Sequence, residues 1–285
     1  MSRVEIFEVG PRDGLQNEQR FIPTRDKVAL VDCLSRVGFR RLEVASFVNP
    51  RWVPQMADSG EVLRQITRVP GVRYAALTPN QKGFDAALAA RADEVAIFAS
   101  ASEGFSRANL NCSIAESLQR FAPVMEAASA AGIPVRGYVS CVTDCPFDGP
   151  TAPAAVAQLA GDLRDLGCYE ISLGDTIGHA TPDSVAAMLR AVLEQVPAAQ
   201  LAGHFHDTGG MALANIEASL AFGLRVFDAA VGGLGGCPYA PGASGNVATE
   251  VVHEWLTGMG WQTGLDRDVL AQAAGMARDL CRGER

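Results

Sequence analysis

The chain has no apolar run near the ~20 residues that a membrane-spanning helix needs. Its first residues, MSRVEIFEVGPRDG, lack the apolar core of a signal peptide and already read as a strand, so a cytoplasmic location and no membrane partner are expected. The seven cysteines are scattered and include no Cys-x-x-Cys pair, which argues against a zinc knuckle and a disulfide framework; most should be small core residues. No basic cluster interrupts a net charge of −8, so a nucleic-acid face is not expected. No linker or low-complexity segment is visible, and residues 1–285 read as one domain. What is plentiful is apolar residues, 48% of the chain, enough for a sizeable core.

Eight short β-type runs recur: VEIFEV (4–9), RLEVAS (41–46), RYAAL (73–77), EVAIFA (94–99), VRGYVS (135–140), YEISLG (169–174), LAGHFH (201–206) and VFDAAV (226–231). Ala- and Leu-rich helical patterns separate them, and several stop at a glycine (Gly38, Gly132, Gly167, Gly223) just before the next strand. The spacing, ~30 residues, is that of a βαβ unit. Eight units predict an α/β fold, a closed (β/α)8 TIM barrel, with 247–285 as C-terminal helices. An open doubly wound sheet would carry a Gly-rich phosphate fingerprint after its first strand, and none is there. In addition, unusual polar residues gather at the C-terminal ends of many strands, which a barrel brings to one mouth.

Those strand ends carry the chemistry. His204 and His206, two of only four histidines, stand two residues apart and so on one face of a strand. With Asp13, delivered by the first strand, they make a donor set suited to a divalent metal of intermediate hardness. The alternative is a pair of hydrogen-bonded polar residues at a loop start. Arg12, always charged, would stabilise an oxyanion if it points into the mouth, or else form a surface salt bridge. Glu43 lies within an apolar strand, and a carboxylate there needs a partner. Arg136 is the candidate, as a structural ion pair or as a brace for the site. Gly232–Asn246 is glycine-rich with two prolines and reads as an active-site lid, with Cys237 as its thiol. Asn246 either caps the following helix or offers its amide oxygen to the metal.

The segments GPRDGLQNE (10–18), SFVNPRWVPQM (46–56), LTPNQKGF (77–84), RGYVSC (136–141), GCYEISLGDTIG (167–178), GHFHDT (203–208) and GGLGGCPYAPGASGNVATE (232–250) resemble the hydroxymethylglutaryl-CoA lyase family, in order and across nearly the whole chain. The resemblance implies metal-assisted retro-Claisen cleavage of 3-hydroxy-3-methylglutaryl-CoA to acetyl-CoA and acetoacetate, a step of leucine catabolism. It implies Mg2+ or Mn2+ bound through Asp13, His204, His206 and Asn246. Arg12 matches the oxyanion-stabilising arginine and Cys237 the loop cysteine that would protonate the enolate. Glu43, Asp175 and Glu250 match acidic residues important to the site, with Asp175 or His204 as the base. Gln16, Ser46, Tyr138, Ser172 and Glu250 are the expected substrate-binding set beside Arg12. The partner is a small acyl-CoA, and a homo-oligomer, dimer or tetramer, is expected.

The chain departs from the family pattern at Gly209-Gly210-Met211 and at Gly104, where lost bulk would widen the pocket. A lyase for a longer 3-hydroxy-3-alkylglutaryl-CoA or citramalyl-CoA is therefore an alternative. A Claisen-condensing synthase of the same superfamily is another, although 285 residues leave no room for the usual regulatory region. A non-catalytic barrel would have lost a metal ligand or the lid thiol, and all of these positions are filled.

Overall fold

A computed structural model describes residues 3–235 and 245–282. Eight parallel strands close on one another in the order β1-β8-β7-β6-β5-β4-β3-β2. They are β1 (Glu5–Glu8), β2 (Arg41–Ser46), β3 (Arg73–Leu77), β4 (Glu94–Ser100), β5 (Val135–Ser140), β6 (Glu170–Asp175), β7 (Leu201–Phe205) and β8 (Val226–Ala229). Closure runs through the pairing of β1 with β8, Glu5 opposite Val226 to Glu8 opposite Ala229, and of β1 with β2 at Glu8 and Leu42. The expected strands are all present, with ends differing by up to two residues. A small antiparallel hairpin, Asp144–Cys145 with Gly149–Pro150, was not foreseen.

The helices form the outer ring because one stripe of each is apolar. In α7 (Pro182–Val192) the buried residues Val185, Met188, Leu189 and Val192 follow the i, i+3, i+4, i+7 spacing of a single face. Each such side chain contributes roughly 1.5–3 kcal/mol by leaving water. The helix starts at a capping box between Thr181 and Ser184. α5 (Ile114–Ala131) is closed by Gly132, whose φ of 68° is the left-handed conformation that glycine adopts without strain. Beyond β8, α9 (Thr249–Gly258) and α10 (Arg267–Arg282) complete the ring, α10 packing on α1 (Thr24–Leu34). No described helix is long and apolar enough to cross a membrane. The six described cysteines are free, and five of them are buried.

The barrel interior is a charged ladder rather than stacked aliphatic layers. Arg41 grips Glu170 with two nitrogens, at 2.8 and 3.2 Å. Glu170 also accepts from Arg136 Nε at 2.7 Å, and Arg136 grips Asp228 at 2.9 and 2.8 Å. The ring of Phe7 lies under both guanidinium groups, 4.8 Å from Arg41 and 4.5 Å from Arg136. Arg136 is the largest fully buried side chain. A buried charge of this kind persists only when paired and hydrogen-bonded on every side. The ladder therefore supplies a rigid floor to whatever sits above it.

Candidate active site

The mouth is organised by the five residues that follow β1. Gly10–Gly14 form a single π-helical turn, with Pro11 in its first positions, where a missing N–H does no harm. The amides of Arg12, Asp13 and Gly14 all donate to one carbonyl, that of Val9, at 3.1, 2.7 and 3.3 Å. Neighbours in the chain are thereby both turned into the mouth. Arg12 is almost fully buried; its Nε donates to Glu43 Oε2 at 2.6 Å and its Nη1 to Asp13 Oδ1 at 2.6 Å. Its guanidinium also stands 5.5 Å from the centre of the Tyr138 ring. Burial opposes its charge, but Glu43 and then Asp13 hold it firmly protonated.

The partner expected for Glu43 was Arg136; the structure gives it Arg12 instead, with Tyr138 Oη donating at 3.1 Å. Arg136 is consumed by Glu170 and Asp228 one layer below. Sheet register decides this, since it places the Glu43 carboxylate toward the mouth and the Arg136 head toward β8.

Asp13 is the hub of the upper layer. Its Oδ1 accepts from Arg12 and from Gln16 Nε2 at 2.9 Å, and its Oδ2 accepts from Asn246 Nδ2 at 2.7 Å. Burial would raise its pKa, but Arg12 and the two imidazoles bring it down to about 2. His204 lies inside β7, Phe205 points into the apolar core, and His206 follows at a bridge to Asn246. The two imidazole centres are 5.3 Å apart. One ligand atom from each of Asp13, His204 and His206 lies within 4.8 Å of the others. His206 Nδ1 is buried with no hydrogen-bond partner. Burial and the neighbouring His204 bring its pKa down to about 4, so the ring is neutral and keeps a lone pair. A neutral imidazole with one unpartnered nitrogen, a second imidazole and an ionised carboxylate fit a divalent cation. Asn246 presents its amide nitrogen to Asp13; a role as cation ligand requires the amide turned over. Gly235 packs against this amide, and a Cβ there would stand 2.8 Å from Nδ2.

These groups line a cavity of about 580 Å3 together with Gln16, Tyr138, Leu77, Phe98 and Asn80. Five expected site residues lie off its wall; one is Glu43, which reaches the site through Arg12. Ser172 donates to Asp228 at 2.8 Å, within the barrel. The Ser46 hydroxyl is buried and unpartnered, while its amide is tied to Ser59. Asp175 accepts the amides of His179 and Ala180 at 3.2 and 3.1 Å, in its own loop. Glu250 accepts from the Gly232 amide at 3.0 Å and from Arg278 at 2.9 Å, which braces the start of the glycine-rich segment to α10. Cys237 lies outside the described residues. Gly104 does not widen the pocket, because its missing side chain faces Asp148 and not the cavity. A Cβ there would stand 2.3 Å from Asp148 Oδ1, which belongs to the carboxylate receiving the Gly104 amide at 2.7 Å. The position is small so that Asp148 can cap the helix Glu103–Leu110.

Two buried carboxylates next to the site escaped the sequence reading, Asp228 and Glu8. Both interrupt apolar strands, the same signal that marked Glu43. Glu8 is fully buried and accepts from the Gly10 and Val231 amides at 2.8 and 2.9 Å and from the Thr249 hydroxyl at 2.6 Å. It ties the π turn to the segment leading to Asn246. Burial outweighs these donors and pushes its carboxyl up to about 7. In the unfolded chain it titrates near 4.5, so the native state holds the extra proton between the two values. Its contribution is full below about pH 4.5 and is lost as pH rises through 7, at most about 3 kcal/mol. The resistance of wild type to urea should therefore weaken from pH 5 to pH 8, and Glu8→Gln should flatten that slope. An unchanged slope would show that Glu8 is ionised throughout.

A profile of the HMGL-like family matches residues 3–276. The hydroxymethylglutaryl-CoA lyase of Pseudomonas mevalonii is 58% identical over 272 residues, 95% of this chain and 90% of that one. The 3-hydroxy-3-isohexenylglutaryl-CoA/hydroxymethylglutaryl-CoA lyase of Pseudomonas aeruginosa is 56% identical over 271 residues, again 95% and 90%. The crystal structure of the HMG-CoA lyase from Brucella melitensis superposes with a TM-score of 0.98 at 60% identity, covering 99% of this chain and 100% of the other. With the cluster at its barrel mouth and these likenesses over nearly its full length, the chain belongs to the HMGL-like family, among its hydroxymethylglutaryl-CoA lyases.

Proposed function

We propose that the mouth of this barrel is the centre at which the chain, a carbon–carbon lyase, cleaves 3-hydroxy-3-methylglutaryl-CoA to acetyl-CoA and acetoacetate. The observation that carries the reading is the contact of Arg12 with Asp13 beside the two imidazoles, on the wall of one cavity. Asp13, His204 and His206, with Asn246 through its amide oxygen, would hold a divalent cation, Mg2+ or Mn2+. When bound, such a cation supplies Lewis-acid polarisation of substrate oxygens and lowers the pKa of a hydroxyl.

In the reaction the tertiary hydroxyl gives its proton to a base. The C2–C3 bond then breaks, its electron pair forms the thioester enolate, and acetoacetate departs as the ketone. Arg12 would hold the enolate oxygen; its Nε edge is bonded to Glu43 and its guanidinium stands against the Tyr138 ring, which supports this reading. The Tyr138 hydroxyl in turn accepts from Arg136 at 2.9 Å, so the ladder below sets the guanidinium's position. Protonation of the enolate at carbon is assigned to the Cys237 thiol.

An apolar side of the cavity, with Leu77, Phe98 and Val48, favours a second reading in which longer 3-alkyl chains are also taken, as the name of the 56%-identical relative states for that enzyme. The same proposal includes a cytoplasmic setting and a homo-oligomer of the 30.0 kDa chain, dimer or tetramer, which light scattering would count. The test of activity is acetyl-CoA release from a panel of 3-hydroxy-3-alkylglutaryl-CoA esters and citramalyl-CoA, before and after chelation. Release from the methyl compound should vanish with chelator and return with Mg2+ or Mn2+. Release from another member of the panel alone would replace the named substrate.

A further inference from the structure

Asp228 on β8 is 2% exposed and lies off the cavity wall, yet it touches His204. Its Oδ2 is 3.1 Å from His204 Nδ1 and accepts from Ser172 Oγ at 2.8 Å. The same carboxylate receives Arg136 Nη1 on Oδ2 at 2.9 Å and Nη2 on Oδ1 at 2.8 Å. Arg136 is fixed from the other side by Glu170, and Glu170 by Arg41. The carboxylate therefore has no freedom to rotate away from the imidazole. Both of its oxygens face the fully buried guanidinium of Arg136, and a carboxylate paired in this two-pronged way is the charged, accepting form.

An ionised carboxylate only accepts hydrogen bonds. Whichever ring nitrogen faces it must carry a proton, and the nitrogen that faces it is Nδ1. The lone pair of the neutral ring is then left on Nε2, the atom 4.0 Å from Asp13 Oδ2. His206 has no such partner, since its Nδ1 makes no hydrogen bond. The two histidines of the cluster are thus held differently, His204 by a buried carboxylate at Nδ1 and His206 by the backbone of Thr176, with its own Nδ1 free of hydrogen bonds.

We propose that Asp228 is a positioning residue for the reaction, fixing His204 as the Nδ1-protonated tautomer with Nε2 turned to the cation. This rests on the reading of Asp13, His204 and His206 as a divalent-cation site. The rival account gives Asp228 no task beyond neutralising Arg136 in the barrel interior. The two accounts separate at Asp228→Asn. The amide oxygen must still face one Arg136 nitrogen, and where the NH2 meets Nδ1 it forces the proton onto Nε2. Groups that orient a metal-bound histidine in this way typically alter metal affinity by 10- to 100-fold.

The test is Mn2+ affinity, read from the electron paramagnetic resonance of free Mn2+, for wild type, Asp228→Asn and Leu189→Ala. The last loses buried packing on α7, far from the mouth, and controls for instability. The expected result is a 10- to 100-fold weaker Mn2+ affinity in Asp228→Asn and an unchanged one in Leu189→Ala. Equal affinity in wild type and Asp228→Asn would overturn the role of Asp228 and leave the cation site standing. A wild type that takes no Mn2+ would overturn the site, and this inference with it. Should Asp228→Asn not fold, 15N spectra of histidine-labelled, metal-free wild type above the titration of His204 read the tautomer directly. A proton on Nδ1 supports the assignment, and one on Nε2 defeats it.

Discussion

Arg12→Ala is expected to lower kcat by about 100- to 1,000-fold, the effect of removing one preorganised oxyanion donor, while KM changes far less. The interaction removed is one that strengthens as negative charge builds on the enolate oxygen, so the loss belongs in kcat. A stability effect comes with it. Glu43 is fully buried, burial already pushes its pKa up, and Arg12 is its main counter-ion. Without the guanidinium, Glu43 should take up a proton near neutrality instead of remaining an unpaired charge. The double variant Arg12→Met with Glu43→Gln should then recover stability in urea and recover no activity. Arg12→Lys should resemble the alanine variant, since one ammonium cannot span Glu43 Oε2 and Asp13 Oδ1 as the guanidinium fork does. A lysine variant with near-normal turnover would mean that a positive charge alone is sufficient there.

Asp13→Asn should be as damaging through a different route. Three donors converge on this carboxylate: Arg12 Nη1, Gln16 Nε2 and Asn246 Nδ2. An asparagine has one oxygen for them, so the NH2 that replaces the other oxygen forces Asn246 or Gln16 to turn its amide over or leaves a donor facing a donor. The site loses its negative charge, and the hydrogen bonds that order Asn246 are rearranged in the same place. Divalent-cation affinity should fall by at least about 100-fold, the upper range for groups that merely orient a ligand, and kcat/KM at fixed metal with it. Titration calorimetry with Mn2+ checks the first and initial rates over a metal series check the second. High metal concentration should restore part of the activity, which distinguishes lost affinity from lost chemistry. Because Asp13 is held at about 2, no acid limb near pH 4 should be assigned to it in wild type.

The barrel and its polar mouth were legible in the sequence because both rest on local patterns. Eight apolar runs at βαβ spacing, with polar residues at so many strand ends, point to a closed sheet, and alternation along a strand puts His204 and His206 on one face. Asp13 followed from its place after the first strand. Pairing across the barrel was not legible, because it depends on how far each strand is sheared against its neighbours. Glu43 and Arg136 both lie inside apolar strands, and nothing in their spacing says that one reaches up to Arg12 and the other across to Asp228. Asp228 and Glu8 carried the same signal as Glu43, a carboxylate within an apolar run, and the same scrutiny would have singled them out. The roles expected of Asp175 and Glu250 came from motif position, and the fold turns both carboxylates toward backbone amides. Gly104 was misread because its constraint is a carboxylate 44 residues away in sequence.

The turn at Gly10–Gly14 bears on how this mouth tolerates change in length. It holds a residue more per ring than an ordinary helical turn, and three successive amides share the single oxygen of Val9. Deleting Pro11 would let the backbone relax into common helical winding. It would also swing either the guanidinium or the aspartate out toward solvent. An indel of one amino acid here should silence the enzyme, and where it is the guanidinium that swings out it should lower the melting temperature as well, because Glu43 then loses its buried counter-ion.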